Sequence, residues 1–123
     1  MGTEASRLEK VQIRYMQGED IDAIVKVEQQ CFPAPWTKEA FESELYSNAL
    51  AHYLVVALGD QLIGYAGMWI ILDEAHVTNV AVVSEFRGNK YGKLLMKTLL
   101  TTAKVKGAQS MTLEVRRSNL IAQ

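Results

Sequence analysis

The sequence predicts an α+β fold in which a mixed β-sheet carries helices on both faces. Three apolar or alternating segments follow one another between His52 and Val83 with short links, a pattern typical of an antiparallel meander. A long amphipathic helix, from about Asn89 to Lys106, separates this meander from a last alternating segment, Ser110 to Arg116. Strand, helix and strand in this order form a parallel pair through a right-handed crossover, so the sheet is mixed.

Length and charge limit how the chain can be organised. The 123 residues correspond to one domain, and a hydrophobic share of 49% is enough for a packed core. We expect residues 1–10 to form a flexible leader and residues 11–123 to form the domain. With 13 basic and 14 acidic residues the net charge is −1, which argues against a bulk electrostatic interaction with nucleic acid.

Cysteine, histidine and apolar residues indicate the compartment. Cys31 is the one cysteine, so no internal disulfide can form and a reducing compartment is expected. His52 and His76 lie too far apart for the ligand spacing of a zinc site, and we predict no bound metal. No apolar run is long enough to cross a bilayer, and the N-terminus lacks the apolar core of a signal peptide. We therefore predict a cytoplasmic protein that does not bind membranes.

The N-terminal part predicts one strand followed by one helix. Val11 to Tyr15 alternates apolar and polar residues, as half-buried strands do. The acidic segment Gly18 to Asp20 then starts a helix in which residues at helical spacing run from Ile21 to Glu28, and this helix ends near Cys31.

Two prolines exclude a helix in the next segment, FPAPWT. Thr37 can cap the helix Lys38 to Tyr46 that follows. The sequence leaves two roles open for the aromatic residues of this segment, Phe32 and Trp36. They can be packing anchors of the core, or they can shape a groove that binds a substrate.

The meander begins with a predicted hairpin. His52 to Leu58 and Gln61 to Ile71 are its strands, and a short link leads to the third strand, Ala75 to Val83. Gly64 and Gly67 interrupt the second strand, which indicates a bend or the close approach of another group. The long helix after the meander ends at Gly107. Its predicted core face carries Leu94, Leu95, Thr98, Leu99 and Thr102.

A basic segment with two glycines, RGNKYG, lies where this helix begins. Small residues there let unpaired backbone N–H groups approach an anion, and the helix dipole favours negative charge at the same place. Arg87, Lys90 and Lys93 add positive charge, so a phosphate-bearing ligand fits the pattern. The alternative is a tight strand-to-helix turn with solvated basic residues, and spacing alone leaves both open.

Taken together, the strand before this loop, the loop RGNKYG, the amphipathic helix and the strand LEVRRSN resemble the acetyl-CoA-binding core of the GCN5-related N-acetyltransferases, the GNAT superfamily. Within it, the segments FPAPWT, LDEAHVTNVAV and LEVRRSN are similar to the RimI type, the ribosomal-protein-alanine N-acetyltransferases. The resemblance extends from about Val11 to the last residue. It implies the GNAT fold, acetyl-CoA as the acetyl donor and a protein N-terminus as the acceptor.

The resemblance also implies roles for single residues. Glu114 would accept the proton of the incoming amine, and Asn119 would contact the cofactor near its acetyl end. From the residues alone, Glu114 can equally be a surface carboxylate paired with Arg116 or Arg117. Backbone groups of Val80, Ala81 and Val82 would pair with the pantetheine arm. The pyrophosphate would be held by the loop that begins at Arg87, through the amides of Gly88, Asn89, Lys90, Tyr91, Gly92 and Lys93.

The sequence departs from the family pattern at two places. Lys90 occupies the first glycine position of the loop motif, and we expect that its backbone needs no positive φ and that its ammonium adds a phosphate contact. The family also carries a tyrosine that protonates the departing thiolate, and its position lies just beyond Gln123. We therefore expect a domain that is incomplete at its C-terminus, in which the strand LEVR is an open edge suited to dimerisation. Such a chain is expected to bind acetyl-CoA but to transfer acetyl slowly or not at all.

Three functions are compatible with these features. The first is an acetyl-CoA-dependent Nα-acetyltransferase that modifies the N-terminal alanine of a ribosomal protein. The second is the same reaction on other protein N-termini or on small amines. The third is a non-catalytic acyl-CoA-binding module that uses its open sheet edge to pair with a partner.

Overall fold

The computed structural model of the protein describes residues 11–86 and 90–113. These residues form five strands, three α-helices and two short 3₁₀ turns at Gly18–Asp20 and Ser84–Phe86. The helices are α1 (Ile21–Cys31), α2 (Lys38–Ser47) and α3 (Tyr91–Val105). The strands are β1 (Val11–Tyr15), β2 (Ala51–Leu58), β3 (Gln61–Ile71), β4 (Glu74–Val82) and β5 (Ser110–Leu113).

The five strands form one sheet in the order β1-β2-β3-β4-β5. The first four strands pair antiparallel with their neighbours, whereas β5 pairs parallel to β4 and is reached through α3. The predicted meander, crossover and mixed sheet are therefore confirmed.

Helices cover both faces of the sheet, as predicted. On β3, the Tyr65 hydroxyl contacts Glu28 of α1. Its neighbour Gly64 points to the opposite face because side chains alternate along a strand. There it lies against Val82, whose side chain also faces Gly92 at the start of α3. Thus α1 lies on one face and α3 on the other.

An aromatic cluster joins α2 to the face covered by α1. Phe41 of α2 is fully buried and meets the rings of Tyr65 and Tyr53 edge-on, at centroid distances of 5.5 and 6.3 Å. Edge-to-face pairs of this kind add stability beyond the buried area. Thr37 begins the helix, since its Oγ1 accepts the Ala40 N–H at 3.2 Å, and this confirms the predicted cap.

The start of α1 is tied to β1 by an ion pair. The Arg14 guanidinium donates to both oxygens of Asp20, at 2.7 and 2.9 Å. Asp20 also accepts the Gln17 N–H at 2.7 Å, which satisfies an amide at the beginning of the turn. These hydrogen bonds, that from Arg14 above all, hold the pKa of Asp20 below its ordinary value.

Both glycines of β3 stand where another group comes close, as the sequence indicates. A Cβ on Gly64 would lie 2.6 Å from the Ala81 carbonyl oxygen, and one on Gly67 would overlap the Tyr53 ring. The strand pairing also shifts register next to each of them, between Val56 and Ala57 and between Gly67 and Met68. Only a residue without a side chain fits at these two positions.

The predicted core face of α3 is partly wrong. The buried residues are Leu95, Leu99 and Ala103, whereas Leu94 is 42% exposed. Thr98 and Thr102 are half-buried and lie beside the core, and each hydroxyl donates to a carbonyl of its own helix, at 2.9 and 2.8 Å. The buried face of α3 is therefore narrower than predicted, and its residues are spaced four apart along the helix. Gly107, with φ at 97°, follows the helix as predicted.

None of the helices in the described parts of the chain has both the length and the apolar character that crossing a membrane requires.

Candidate active site

The candidate site lies where the described pairing of β4 with β5 ends. Their pairing runs from Glu74 with Ser110 to Val77 with Leu113, the last described pair. Directly after it, the register between β3 and β4 shifts, and Thr78 is the extra residue of a β-bulge. Bulges bend a strand and increase its twist, so β4 changes direction where its described pairing with β5 ends.

Beyond the bulge, part of the β4 backbone is directed away from β3. Val83 donates its N–H to the Ile63 carbonyl at 2.9 Å, and Ala81 pairs with Tyr65. Backbone groups of alternate residues point to opposite sides of a strand. Those of Val80 therefore point toward the side on which β5 lies, where an extended ligand could bind them as a further strand would.

The start of α3 lies close to the end of β4. The first backbone hydrogen bond of the helix joins the Leu94 N–H to the Lys90 carbonyl at 2.9 Å. The amides of Tyr91, Gly92 and Lys93 precede it and form the positive end of the helix dipole. A Cβ on Gly92 would lie 3.8 Å from Val82 Cγ2, so the helix start is packed against the last residue of β4.

The expectation for the Lys90 backbone is wrong. Lys90 has φ at 73° and ψ at 4°, in the left-handed region that favours glycine. Lys90 is the residue from which α3 begins, and its carbonyl accepts the first helical hydrogen bond. Its exposed side chain adds positive charge beside the helix amides, at the cost of local strain.

Replacing Lys90 with glycine is expected to raise the free energy of unfolding by about 1 kcal/mol, because glycine adopts a positive φ without strain. Urea denaturation of the parent chain and the variant measures the difference. Lys90→Ala is the matched control, since it removes the same charge but keeps a Cβ in the left-handed region. Equal stabilities of the glycine and alanine variants would contradict this account.

The segment FPAPWT lies beside the end of β4. The Cys31 thiol, just before it, donates to the Val82 carbonyl at 3.5 Å. Phe32 is 4% exposed and belongs to the core, so its burial favours the packing role, and its assignment as a substrate contact stays a prediction. Trp36 is partly exposed and packs on Phe41 at a centroid distance of 5.4 Å.

Sequence reasoning missed a buried polar cluster behind this segment. Glu28 is fully buried and accepts hydrogen bonds from the Tyr65 hydroxyl and, at 2.8 Å, from the Trp36 backbone N–H. Asn79 of β4, also buried, donates to the Tyr65 hydroxyl at 3.3 Å. One signal was present in the sequence, because Glu28 continues the apolar series of α1.

A second polar cluster lies further along the same face. Glu44 of α2 accepts hydrogen bonds from the Tyr53 hydroxyl and from Trp69 Nε1, both at 2.8 Å. Burial, together with the nearby charge of Glu44, raises the pKa of Tyr53 far above its ordinary value, so this hydroxyl stays protonated and acts as a donor.

Five of the residues assigned from the sequence lie outside the described residues. They are Arg87, Gly88, Asn89, Glu114 and Asn119. Glu114 directly follows Leu113, which pairs with Val77 at the point where the described pairing of β4 and β5 ends.

Residues 21–123 match the acetyltransferase (GNAT) family. The chain therefore belongs to this family and is an N-acetyltransferase, as its resemblance implied. Members of the family use acetyl-CoA as the donor of the acetyl group.

Two curated relatives of this chain are both named for the acetylation of an alanine of ribosomal protein bS18. A Bacillus subtilis protein, provisionally named a ribosomal protein bS18-alanine N-acetyltransferase, is 43% identical over 114 residues, covering 93% of this chain and 76% of its own length. The Haemophilus influenzae protein named ribosomal protein bS18-alanine N-acetyltransferase is 36% identical over 102 residues, covering 81% of this chain and 67% of its own.

Solved structures show the same fold. The crystal structure of the Escherichia coli ribosomal-protein-S18-alanine N-acetyltransferase superposes with a TM-score of 0.79 at 25% identity, covering 91% of this chain and 71% of that one. The structure of a PaiA N-acetyltransferase from Thermoplasma acidophilum, solved in complex with coenzyme A, superposes with a TM-score of 0.71 at 22% identity. The match covers 90% of this chain and 82% of that one.

Proposed function

We propose that this chain transfers the acetyl group of acetyl-CoA to the α-amino group of an N-terminal alanine, and that the acceptor is ribosomal protein bS18. The observation that carries the proposal is the 43% identity over 93% of the chain to a relative named for this reaction. The position of the bulge in β4 and of the start of α3 supports the same chemistry.

The proposed cofactor site lies at the junction of β4 with α3. The amides of Tyr91, Gly92 and Lys93 at the helix start suit the pyrophosphate, together with those of the loop that begins at Arg87. Lys90 and Lys93 are exposed at this end of the helix and add positive charge. Within the segment Val80–Val82, Ala81 pairs with β3, whereas the backbone groups of Val80 are directed away from it and suit the amide-bearing pantetheine arm, which binds as an added strand would.

The transfer requires a neutral amine and a polarised thioester. The amine nitrogen attacks the carbonyl carbon, the carbon–sulfur bond breaks, and coenzyme A leaves with the electron pair on sulfur. Glu114 accepts the amine proton through water, and backbone N–H groups of β4 stabilise the negative charge that develops on the carbonyl oxygen. Asn119 contacts the cofactor near the acetyl group in this arrangement.

The acceptor approaches along the segment FPAPWT. Trp36 is partly exposed, and Cys31 brings this segment against the end of β4, where the thioester would lie. The proposed protein acts in the cytoplasm, where ribosomal proteins are made. The edge formed by β5 in the described sheet is its proposed surface for dimerisation.

A peptide assay tests the proposed function. The chain is incubated with acetyl-CoA and a peptide that carries the N-terminal sequence of bS18, and acetylation is followed by mass spectrometry. We expect transfer to the free α-amino group and none to the same peptide with a blocked N-terminus. A matched peptide that begins with proline and a small polyamine test the acceptor class. Faster transfer to the polyamine, or no transfer together with no binding of acetyl-CoA by calorimetry, would contradict the proposal.

A further inference from the structure

A buried carboxylate lies in the face covered by α1, and the transfer chemistry does not use it. Glu28 is fully buried and has hydrogen-bond donors on two sides. Taking a carboxylate out of water is costly, and an apolar side chain of similar volume would hold α1 on the sheet without that cost. Unlike an apolar side chain, Glu28 forms hydrogen bonds that link two separate parts of the structure.

Glu28 accepts hydrogen bonds from two different parts of the proposed site. On one side Glu28 holds the Trp36 N–H at 2.8 Å, and Trp36 belongs to the segment along which the acceptor approaches. On the other side it holds the Tyr65 hydroxyl, which accepts a hydrogen bond from Asn79 at 3.3 Å. Asn79 stands between the bulge residue Thr78 and the segment Val80–Val82 that suits the donor.

We infer that Glu28 is a positioning residue for acetyl transfer. Through one carboxyl group it fixes the acceptor segment (FPAPWT, residues 32–37) relative to the donor strand (β4 at Asn79 and Val80–Val82). The inference rests on the proposed function, because it needs an acceptor at Trp36 and a thioester at Val80–Val82. Bound reactants react fast only when their atoms are held close and aligned, and a displacement of about 1 Å can cost about 10²-fold in rate.

The Glu44 cluster provides a matched control. Like Glu28, Glu44 accepts hydrogen bonds from a tyrosine hydroxyl and from a tryptophan N–H on the same face of the sheet. Tyr53 and Trp69 lie on β2 and β3, and a third partner, Asn48, follows α2 and donates to Glu44 at 3.0 Å, so none of them belongs to the segment FPAPWT or to β4. Glu44 is half-buried, whereas Glu28 is fully buried, so replacing Glu44 removes hydrogen bonds of the same kinds at a smaller cost to the core and leaves the proposed connection intact.

Steady-state kinetics on the alanine-starting peptide give the first test. Glu28→Met removes both carboxylate oxygens, which accept the hydrogen bonds from Trp36 and Tyr65. We expect the KM for the peptide to rise about tenfold, while the KM for acetyl-CoA stays within about twofold. Glu28→Gln keeps an oxygen that can accept the Trp36 N–H, so it is expected to restore the peptide KM to within about threefold of the parent value. Glu44→Met should leave both KM values within about twofold.

Tryptophan fluorescence gives a second test that needs no turnover. The sequence contains two tryptophans, so a Trp69→Phe background leaves Trp36 as the one reporter. With the acceptor segment released, Glu28→Met is expected to raise the quenching of Trp36 by acrylamide roughly twofold, whereas Glu44→Met should leave it unchanged. Melting temperatures of all variants establish that each is folded.

The two tests separate the possible outcomes. If Glu28→Met lowers only the melting temperature, with KM values and quenching like those of Glu44→Met, Glu28 has a structural role alone and the inference is overturned. A parent chain that neither binds acetyl-CoA nor transfers acetyl contradicts the proposed function, and the quenching comparison then decides the role of Glu28. If Glu28→Met does not fold, Tyr65→Phe takes its place. It removes the hydroxyl that links Glu28 to Asn79 and leaves the Trp36 hydrogen bond, so misalignment of the donor strand is expected to lower kcat about tenfold. An unchanged kcat in that variant overturns the inference.

Discussion

Glu114→Gln is expected to lower kcat for acetyl transfer by about 10²- to 10⁴-fold, the usual contribution of a general base. Glutamine has nearly the same shape as glutamate but cannot accept the amine proton at neutral pH. The affinity for acetyl-CoA, measured by calorimetry, should stay within about twofold, because the proposed base does not hold the cofactor. Retained binding with lost turnover would assign Glu114 to the chemical step.

The pH profile makes this prediction more specific. An α-amino group has an ordinary pKa of about 8, so at higher pH more of the acceptor is neutral and needs no base. The kcat/KM of the variant should therefore approach that of the parent as the pH rises. Glu74→Gln is the control, since it makes the same charge change near the opposite end of the β4–β5 pairing, where Glu74 pairs with Ser110. An equal loss in both variants would argue against a specific role for Glu114.

Gly92→Trp is expected to weaken acetyl-CoA binding by at least about 100-fold. Gly92 is in the first turn of α3 and faces Val82 across the junction that would hold the pyrophosphate and the pantetheine arm. A large ring there covers the helix amides and occupies the space where the ligand would run. Calorimetric titration of the parent and the variant measures the difference, and binding is the correct readout because this prediction concerns no chemical step.

Gly92→Ala is the matched control for this variant. A methyl group would meet Val82 Cγ2 at 3.8 Å, which is an ordinary van der Waals distance, so the alanine variant should fold and bind within a few-fold of the parent. Circular dichroism of Gly92→Trp checks that α3 still forms. Undiminished binding by a folded Gly92→Trp would place the cofactor somewhere other than the β4–α3 junction.

The fold could be predicted from local patterns because most of its determinants are local. Alternation identified the strands, the acidic segment before Ile21 and the hydroxyl of Thr37 marked helix starts, and Gly64 and Gly67 marked close approaches. Local patterns alone do not assign functional roles, and the roles of single residues came from the family resemblance. The binding and catalytic roles assigned to them, that of Glu114 above all, stay predictions.

The properties that sequence reasoning missed depend on contacts between distant parts of the chain. The Glu28 cluster joins α1 to β3 and to Asn79 on β4, and no local pattern indicates which strand residue meets a buried carboxylate. The positive φ of Lys90 could not be predicted either, because lysine rarely adopts this conformation and nothing in its identity indicates it. Helical spacing defines the apolar side of α3 only broadly, so it could not exclude Leu94.

The order of strands has a consequence for how this protein is made. Neighbours in the sheet are neighbours in the sequence, from β1 to β5, so each strand can add to the edge of the previous one as synthesis proceeds. Among the described strands, β5 alone is reached through a crossover. The junction of β4 with α3 cannot form until the first turn of α3 has been synthesised, after all four antiparallel strands. A ligand bound at this junction would therefore stabilise a part of the molecule that forms later than the antiparallel sheet.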